Sequence, residues 1–403
     1  MLLPDIRKAD VKGKTVFLRA DLDVPLTQQI TNNKQQITIG DDARLRAGLP
    51  TIQYLLDHGA KVIIGGHLDR PKGIDKSLSL KPVAVWLAKK FKVQSSKFKV
   101  ERTKIDDFEG WEISDNLCLL ENLRFYEWEE NPSPPAHSGL SPSGSKTGGS
   151  GQEFVKKLAS LADIYVNDAF AVCHRAHAST VRIAHFLPHF AGLRLQKEVE
   201  VLSSVLKSPK RPLVVIIGGK KIETKLPLVF KMYNLADYVL VGGKIAQEKA
   251  SLGTTCQRTT HKCANLTIAD LNKEGTDISK KDAESFLQVI RLAKTVVWNG
   301  PMGIIDSAKF NPLTTLRIDG ERSRTIKVQS AELSGESTER GTREIAEELA
   351  RSEAYKIVGG GDTTEFLKKI GMIDKFDFVS TGGGAMLSFL SGEKLPGLEA
   401  LTL

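Results

Sequence analysis

The stretch KIVGGGDTTEF, Lys356 to Phe366, decides the fold: a short apolar run stops in three glycines and continues into a segment with helical spacing. Strand, tight loop and helix in that order form the repeating unit of an α/β sheet. Further on, STGGGAM, Ser380 to Met386, repeats the pattern. At a helix start the backbone N–H groups point outward, and glycine lets an anion approach them closely. One glycine run reads more simply as a turn. Two runs, each leaving an apolar segment, favour a nucleotide phosphate cradle. Asp362 sits at the strand end, where a hard carboxylate suits the Mg²⁺ that accompanies phosphates.

Working outward, the same alternation fills the chain. Val16–Leu18, Lys61–Ile64, Ile164–Asn167, Leu213–Ile217, Tyr238–Val241, Thr295–Trp298 and Lys356–Val358 read as strands. Leu45 to His58 and Thr342 to Arg351 show the three-to-four apolar spacing of amphipathic helices. The expectation is an α/β protein with parallel β-sheets flanked by helices. Ala191 to Lys207 reads as a helix between two halves and a plausible hinge. Asn131 to Gln152, rich in Ser, Pro and Gly, reads as a solvated, mobile loop. Asn311 to Arg340 is polar as well, with one edge strand expected at Thr325–Val328.

With 403 residues the chain is long enough for two cores, and a hydrophobic fraction of 41% fits a globular protein. No apolar run approaches the roughly 18 residues of a membrane span. The start, Met1 to Thr15, resembles neither a signal peptide nor a transit peptide, so a cytoplasmic protein is expected, or a plastid one if a transit peptide precedes this sequence. Cys118, Cys173, Cys256 and Cys263 are scattered without CxxC spacing, which argues against zinc and disulfides. A net charge of +9 favours anionic partners. The basic residues are dispersed and lack a stacking platform, so a small phosphorylated substrate is favoured over nucleic acid.

In the first half, His67 and Arg70 in GGHLDRPKG, Arg124 in ENLRFYE, and Arg175 between His174 and His177 all follow strand-like runs. The ends of parallel strands face one crevice, so these cations should converge there. Arg44, which opens a helix, completes a basic bowl for a small polyanion, whose carboxylate and phosphate guanidinium groups grip bidentately. Singly, each arginine reads as a solvated surface residue; the argument rests on their shared position. His174 and His177 lack a third metal ligand at supporting spacing, and Cys173 as a nucleophile is the weaker reading. In the second half, LVVIIGGKKIETK carries Gly219, Lys221 and Lys225, the two lysines on one helical face. It lacks the spacing of a Walker A loop. Trp298–Gly303 adds a rigid glycine-bounded turn with Asn299 and Pro301.

These motifs, with LRADLDVPL near the start, resemble those of the phosphoglycerate kinase family, in the family's order and over nearly the whole chain. The resemblance implies two Rossmann-like domains joined by a hinge helix: residues 1–190 binding phosphoglycerate, 191–380 binding nucleotide with the hinge at about 191–207, and 381–403 returning to the first domain. It implies reversible phosphoryl transfer between 1,3-bisphosphoglycerate with MgADP and 3-phosphoglycerate with MgATP, in glycolysis or, reversed, in carbon fixation, by a protein that is usually monomeric. By motif, Asp21, Asp23, Arg44, His67, Arg70, Arg124 and Arg175 would bind the phosphoglycerate. Gly219, Lys221, Lys225, Gly243, Asn299, Pro301, Asp306, Gly361, Asp362 and Thr363 would bind the nucleotide, with Asp362 on Mg²⁺. Arg44, Lys221, Gly382 and Gly383 would act on the group in flight.

The chain departs from the family pattern at several points. Asp23 stands for Asn, Gly66 for Ser, Asp69 for Gly, Lys220 for Ala, Lys244 for Gly and Asp306 for Glu. Two stretches, 131–152 and 311–340, read as insertions, and the region between Leu252 and Ser285 as shortened. A second reading therefore stands beside the first: a catalytically impaired homologue that binds nucleotide or a partner.

Overall fold

The computed structural model describes residues 2–31, 34–91, 100–131, 151–220, 222–248, 265–305 and 338–402. The expected edge strand at Thr325–Val328, the body of the loop expected after Asn131, Lys221 and Asp306 lie outside these residues. The chain divides into two compact units, Met1–Lys207 with Gly384–Leu403, and Ser208–Gly383.

The first unit contains strands β1 (Thr15–Arg19), β2 (Leu26–Thr31), β3 (Lys34–Ile39), β4 (Lys61–Gly65), β5 (Glu101–Ile105), β6 (Phe108–Ser114), β7 (Leu117–Leu120), β8 (Ile164–Asn167) and β9 (His189–Ala191). Its helices are α1 (Ala43–Asp57), α2 (Lys81–Lys90), α3 (Gly151–Ala159) and α4 (Leu193–Lys207). The main sheet runs β5-β6-β7-β4-β1-β8-β9. From β7 to β9 it is parallel, but β5 and β6 are antiparallel additions at one edge, and β2 with β3 forms a separate hairpin. The apolar alternation does not announce these strands, because Thr, Gln, Glu and Lys dominate β2, β3 and β5. Val16, Leu18, Val62, Ile64 and Val166 fill the core beneath α1 and α2.

The second unit contains β10 (Leu213–Ile217), β11 (Tyr238–Val241), β12 (Leu266–Ile268), β13 (Thr295–Asn299), β14 (Tyr355–Gly359) and β15 (Phe378–Val379). Between them lie α5 (Ile222–Tyr233), α6 (Lys280–Leu292), α7 (Arg340–Arg351) and α8 (Gly361–Lys369). All pairings are parallel in the order β12-β11-β10-β13-β14-β15. That is doubly wound topology, whose switch point falls between β10 and β13. Every residue of β10 and β13 is buried, which explains their uninterrupted apolar reading. Ser279 caps α6 by accepting from the N–H of Asp282 at 3.1 Å.

The chain ends with α9 (Gly383–Leu390) and α10 (Pro396–Glu399). Within the first unit, Gly397 N–H donates to the Cys173 carbonyl at 2.9 Å. A side chain at 397 would meet Cys173 Cα at 2.9 Å, so only glycine permits this approach.

Candidate active site

In the first unit the strand ends carry the expected charges. Asp21 and Asp23 follow β1, His67 follows β4, and Arg44 occupies the first turn of α1. Arg44 Nη1 lies 3.3 Å from Asp21 Oδ1 and 3.7 Å from Asp23 Oδ2, so the two carboxylates hold the guanidinium at the strand ends. Asp21 is buried, which pushes its carboxyl pKa up against the opposing pull of Arg44. Arg124 is buried too; its Nη1 donates to the Asp69 carbonyl at 2.5 Å and its Nε pairs with Glu130 at 2.8 Å. Arg175 Nη1 reaches the same Glu130 oxygen at 4.0 Å, while Arg70 is exposed. Two buried atoms in this group have no hydrogen-bond partner among the described residues: the acceptor Asp21 Oδ2 and the donor Arg124 Nη2. A cavity of about 1330 Å³ adjoins the bowl and shares Arg124 and Glu130, but Arg44, His67 and Arg175 lie outside its lining.

Beneath the bowl lies a buried network that the sequence reading did not name. Arg19, fully buried, donates from Nε to Ser179 Oγ at 2.8 Å, from Nη1 to the Ala20 carbonyl at 2.6 Å and from Nη2 to His67 Nδ1 at 2.8 Å. Ser179 Oγ donates in turn to Glu129 Oε1 at 2.5 Å, and its N–H donates to Oε2 at 3.0 Å. Burial and neighbouring arginines push His67 well below its ordinary pKa and His177 down to about 3. The signal for Arg19 was a charged residue closing an apolar strand, two positions before Asp21. Nearby, Asp168 follows β8 and accepts the N–H groups of Arg194 and Leu195 at 2.9 and 3.0 Å, capping α4. Cys173 is fully buried and its thiol is pushed up to about 12, so it stays protonated and is no nucleophile.

In the second unit the expected residues meet at the switch point, and backbone does most of the building. Gly219 N–H donates to the Pro301 carbonyl at 2.7 Å, and Gly243 N–H to the Met302 carbonyl at 2.9 Å. Gly300 has φ +98°, and a Cβ there would lie 2.0 Å from the Gly218 carbonyl oxygen. Thr363, fully buried on α8, accepts the Gly300 N–H at 3.0 Å. Gly360 caps α8 at φ +96°, and a Cβ at Gly383 would come within 3.1 Å of its Cα. Gly382 N–H meets Ser380 Oγ at 3.3 Å. Thus Gly219, Gly243, Asn299, Pro301, Gly361, Thr363, Gly382 and Gly383 belong to one set of interlocked loops. Asp362 and Gly361 are exposed at the start of α8.

Lys225 departs from the simple picture of a phosphate-gripping lysine. Its Nζ is buried, donating to the Gly218 carbonyl and, at 3.1 and 3.0 Å, to the carbonyl and Oδ1 of Asn299. It ties the C-terminal ends of β10 and β13 together.

Several departures from the family pattern acquire physical accounts. Asp69 adopts φ +53°, the left-handed region that explains a glycine in the family, and Asp is one of the few other residues that tolerate it. Asp23 Oδ1 accepts the Asp69 N–H at 2.9 Å, a role open to Asn or Asp. A side chain at Gly66 would meet Leu22 at 2.6 Å, so serine there requires Leu22 to move. Lys244 is exposed just past Gly243.

A bowl of guanidinium groups at one sheet's strand ends and glycine loops at another's switch point define a two-unit α/β phosphotransferase. The family model described as phosphoglycerate kinase matches residues 6–251, 248–319 and 333–393. The chain is 36% identical over 445 residues to phosphoglycerate kinase of Dictyoglomus turgidum, covering 98% of each. It is 34% identical over 446 residues to the cytosolic phosphoglycerate kinase 3 of Arabidopsis thaliana, covering 98% of this chain and 97% of that one. The solved phosphoglycerate kinase of Coxiella burnetii superposes with TM-score 0.72 at 29% identity, covering 100% of this chain and 99% of that one. The chain belongs to the phosphoglycerate kinase family. Its activity is the family's reversible phosphoryl transfer between 1,3-bisphosphoglycerate with ADP and 3-phosphoglycerate with ATP.

Proposed function

We propose that Asp21, Asp23, Arg44, His67, Arg70, Arg124 and Arg175 bind the phosphoglycerate. The reading rests on Asp21 Oδ2 and Arg124 Nη2, a buried acceptor and a buried donor in one basic bowl with no partner among the described residues. A ligand carrying both a hydroxyl and anionic oxygens satisfies both, and leaving either unmet costs about 1–3 kcal/mol. Gly219, Lys221, Gly243, Asn299, Pro301, Asp306, Gly361 and Thr363 bind the nucleotide, with Lys225 bracing the loops beneath it. Arg44, Lys221, Gly382 and Gly383 stabilise the phosphoryl group in flight, since this chemistry needs positioning and charge rather than a covalent nucleophile.

Mg²⁺ arrives as part of the nucleotide substrate. No described group of three His, Cys, Asp or Glu side chains fits a metal. One exposed carboxylate, Asp362, fits an ion that keeps waters and phosphate oxygens for the rest of its shell. We further infer that α4 is the hinge between domains at 1–190 and 191–380, that turnover requires the domains to close and exclude water, and that a single chain suffices. The cytosol is the proposed compartment, in line with the cytosolic relative; no described helix is long and apolar enough to cross a membrane.

The test is 3-phosphoglycerate turnover with MgATP, coupled to reduction of the acyl phosphate. Arg44→Ala is expected to lower kcat/KM for 3-phosphoglycerate roughly a hundredfold, the equivalent of about 3 kcal/mol from a charge-assisted bond, with KM for MgATP unchanged. Lys221→Ala is expected to lower kcat. Normal turnover by both variants would overturn these roles.

A further inference from the structure

The buried chain from Glu129 to His67 has only one consistent direction of hydrogen bonding. Burial raises the Glu129 carboxyl pKa, while Arg19 and the hydrogen bonds from Ser179 favour its ionised form; as a carboxylate it only accepts, so Ser179 gives its hydroxyl proton to Oε1 and leaves an oxygen lone pair for Arg19 Nε–H. Arginine only donates, so His67 Nδ1, 2.8 Å from Arg19 Nη2, must be unprotonated. The ring's proton is thereby confined to Nε2. Glu129 is fully buried, and the charged groups that face it are Arg19 and Arg124, with His177 Nδ1 at 3.7 Å from Oε1. Its second oxygen is committed to the Ser179 N–H at 3.0 Å. Both oxygens therefore serve as acceptors, which is a demand that an amide of the same shape cannot meet.

We propose that Glu129 is a positioning residue of the reaction: through Ser179 and Arg19 it holds His67 as the Nε2–H tautomer, so that the imidazole offers a donor to the anionic phosphoglycerate. No part of the chain Glu129–Ser179–Arg19 needs to touch substrate. The arrangement supplies a neutral donor whose proton location does not depend on the ligand, among cations whose geometry the same network fixes. This inference rests on the placement of phosphoglycerate in the bowl.

Replacing Glu129 by Gln keeps the volume but forces one amide N–H against either the Ser179 N–H or the proton of its hydroxyl. The hydroxyl then turns toward Arg19 Nε–H, and the guanidinium loses its anchor on that side. Histidine-selective ¹⁵N labelling of the ligand-free protein, with long-range proton correlation, reads the tautomer of His67 directly. The wild type is expected to show an unprotonated Nδ1 and a protonated Nε2. Glu129→Gln is expected to show mixed tautomers and a KM for 3-phosphoglycerate raised roughly tenfold, as for one hydrogen bond to a charged group, with KM for MgATP unchanged. Ser179→Thr, which retains the hydroxyl, is expected to keep the wild-type tautomer.

A wild-type His67 protonated at Nδ1, or at both nitrogens, overturns the proposal before any variant is made. A tautomer change without a KM change, or a KM change without a tautomer change, overturns it as well. Arg44→Ala run alongside separates the two ideas: if that variant also leaves KM for 3-phosphoglycerate unaltered, the substrate placement is what has failed.

Discussion

The two proposed anion sites are built in opposite ways. In the first, long side chains from α1 and from the loops after β4, β7 and β8 converge on the strand ends, steadied by Arg19 and Glu129 beneath them. In the second, main chain does the work: three glycine-containing loops exchange N–H and carbonyl groups around β10 and β13, and the buried Lys225 donates to the loops themselves. A side-chain bowl can lose a member and still fold, whereas a backbone cradle has no spare atoms. Function and stability should therefore separate in the first unit and fall together in the second.

The sharpest break of that contrast is Gly300→Ala against Arg175→Ala. The glycine sits at φ +98° with the Gly218 oxygen 2.0 Å and Lys225 Nζ 2.2 Å from the position of a Cβ. Alanine is expected to cost more than about 3 kcal/mol, seen as a large drop in the denaturant midpoint. Arg175 is partly exposed and makes one long ion pair and one 3.3 Å bond from Nε to His174 Nε2, so its removal is expected to change stability by less than about 0.5 kcal/mol while raising KM for 3-phosphoglycerate. Equal stability losses in the two variants would break the comparison.

Lys225→Met comes next. Losing the ammonium leaves the buried Gly218 and Asn299 acceptors without this donor, so a loss of about 2 kcal/mol is expected along with reduced kcat. A variant of normal stability whose only defect is a higher KM for MgATP would return Lys225 to the role of phosphate ligand.

The first unit also responds to pH, and two buried groups near the bowl pull in opposite directions. His177 falls from an ordinary 6.5 to about 3, so its contribution is present above pH 6.5 and lost as pH drops toward 3. Asp168 rises from 3.8 to about 7, so its contribution is present below 3.8 and lost as pH rises through about 7. Asp168→Asn is expected to remove the second loss, so that urea midpoints measured from pH 4 to pH 8 shift in the variant's favour as pH rises. His177→Asn should flatten the acid limb. An unchanged alkaline slope in Asp168→Asn would show that its carboxyl titrates normally.

Much of this was legible in the amino-acid sequence, for reasons that particular elements make clear. Ile164–Asn167, Leu213–Ile217 and Tyr238–Val241 coincide with strands because parallel strands buried on both faces are apolar throughout. The hairpin Leu26–Thr31 with Lys34–Ile39 was hidden by Gln and Thr, which carry little periodicity. The bowl arginines could be placed because strand ends in a parallel sheet share one rim. Arg19 was not, since a charge inside a strand reads as an exposed position until Ser179, 160 residues away, supplies its partner. The bond from Lys225 to Asn299 was hidden in the same way, because its partner lies 74 positions away. Local pattern reveals which residues are charged and where the chain turns; pairing across the fold decides what each charge is used for.

The smallest effect concerns the rim of the bowl, where backbone conformation enters the side-chain unit. Asp69 holds φ +53° at the point where its carbonyl accepts Arg124 and its N–H meets Asp23. A left-handed residue with a Cβ costs about 1–2 kcal/mol, and less for Asp, while introducing glycine adds roughly 0.4–1 kcal/mol of unfolded-state entropy. The two nearly cancel, and Asp69→Gly is expected to stabilise the first unit by no more than about 0.5 kcal/mol, because the backbone bonds to Arg124 and Asp23 persist. The change also removes an exposed carboxylate from the edge of the proposed polyanion site, so KM for 3-phosphoglycerate should fall modestly, and more at low ionic strength than at high. A stability gain comparable in size to the loss in Gly300→Ala would mean that this side-chain bowl is strained through its backbone as severely as the glycine cradle.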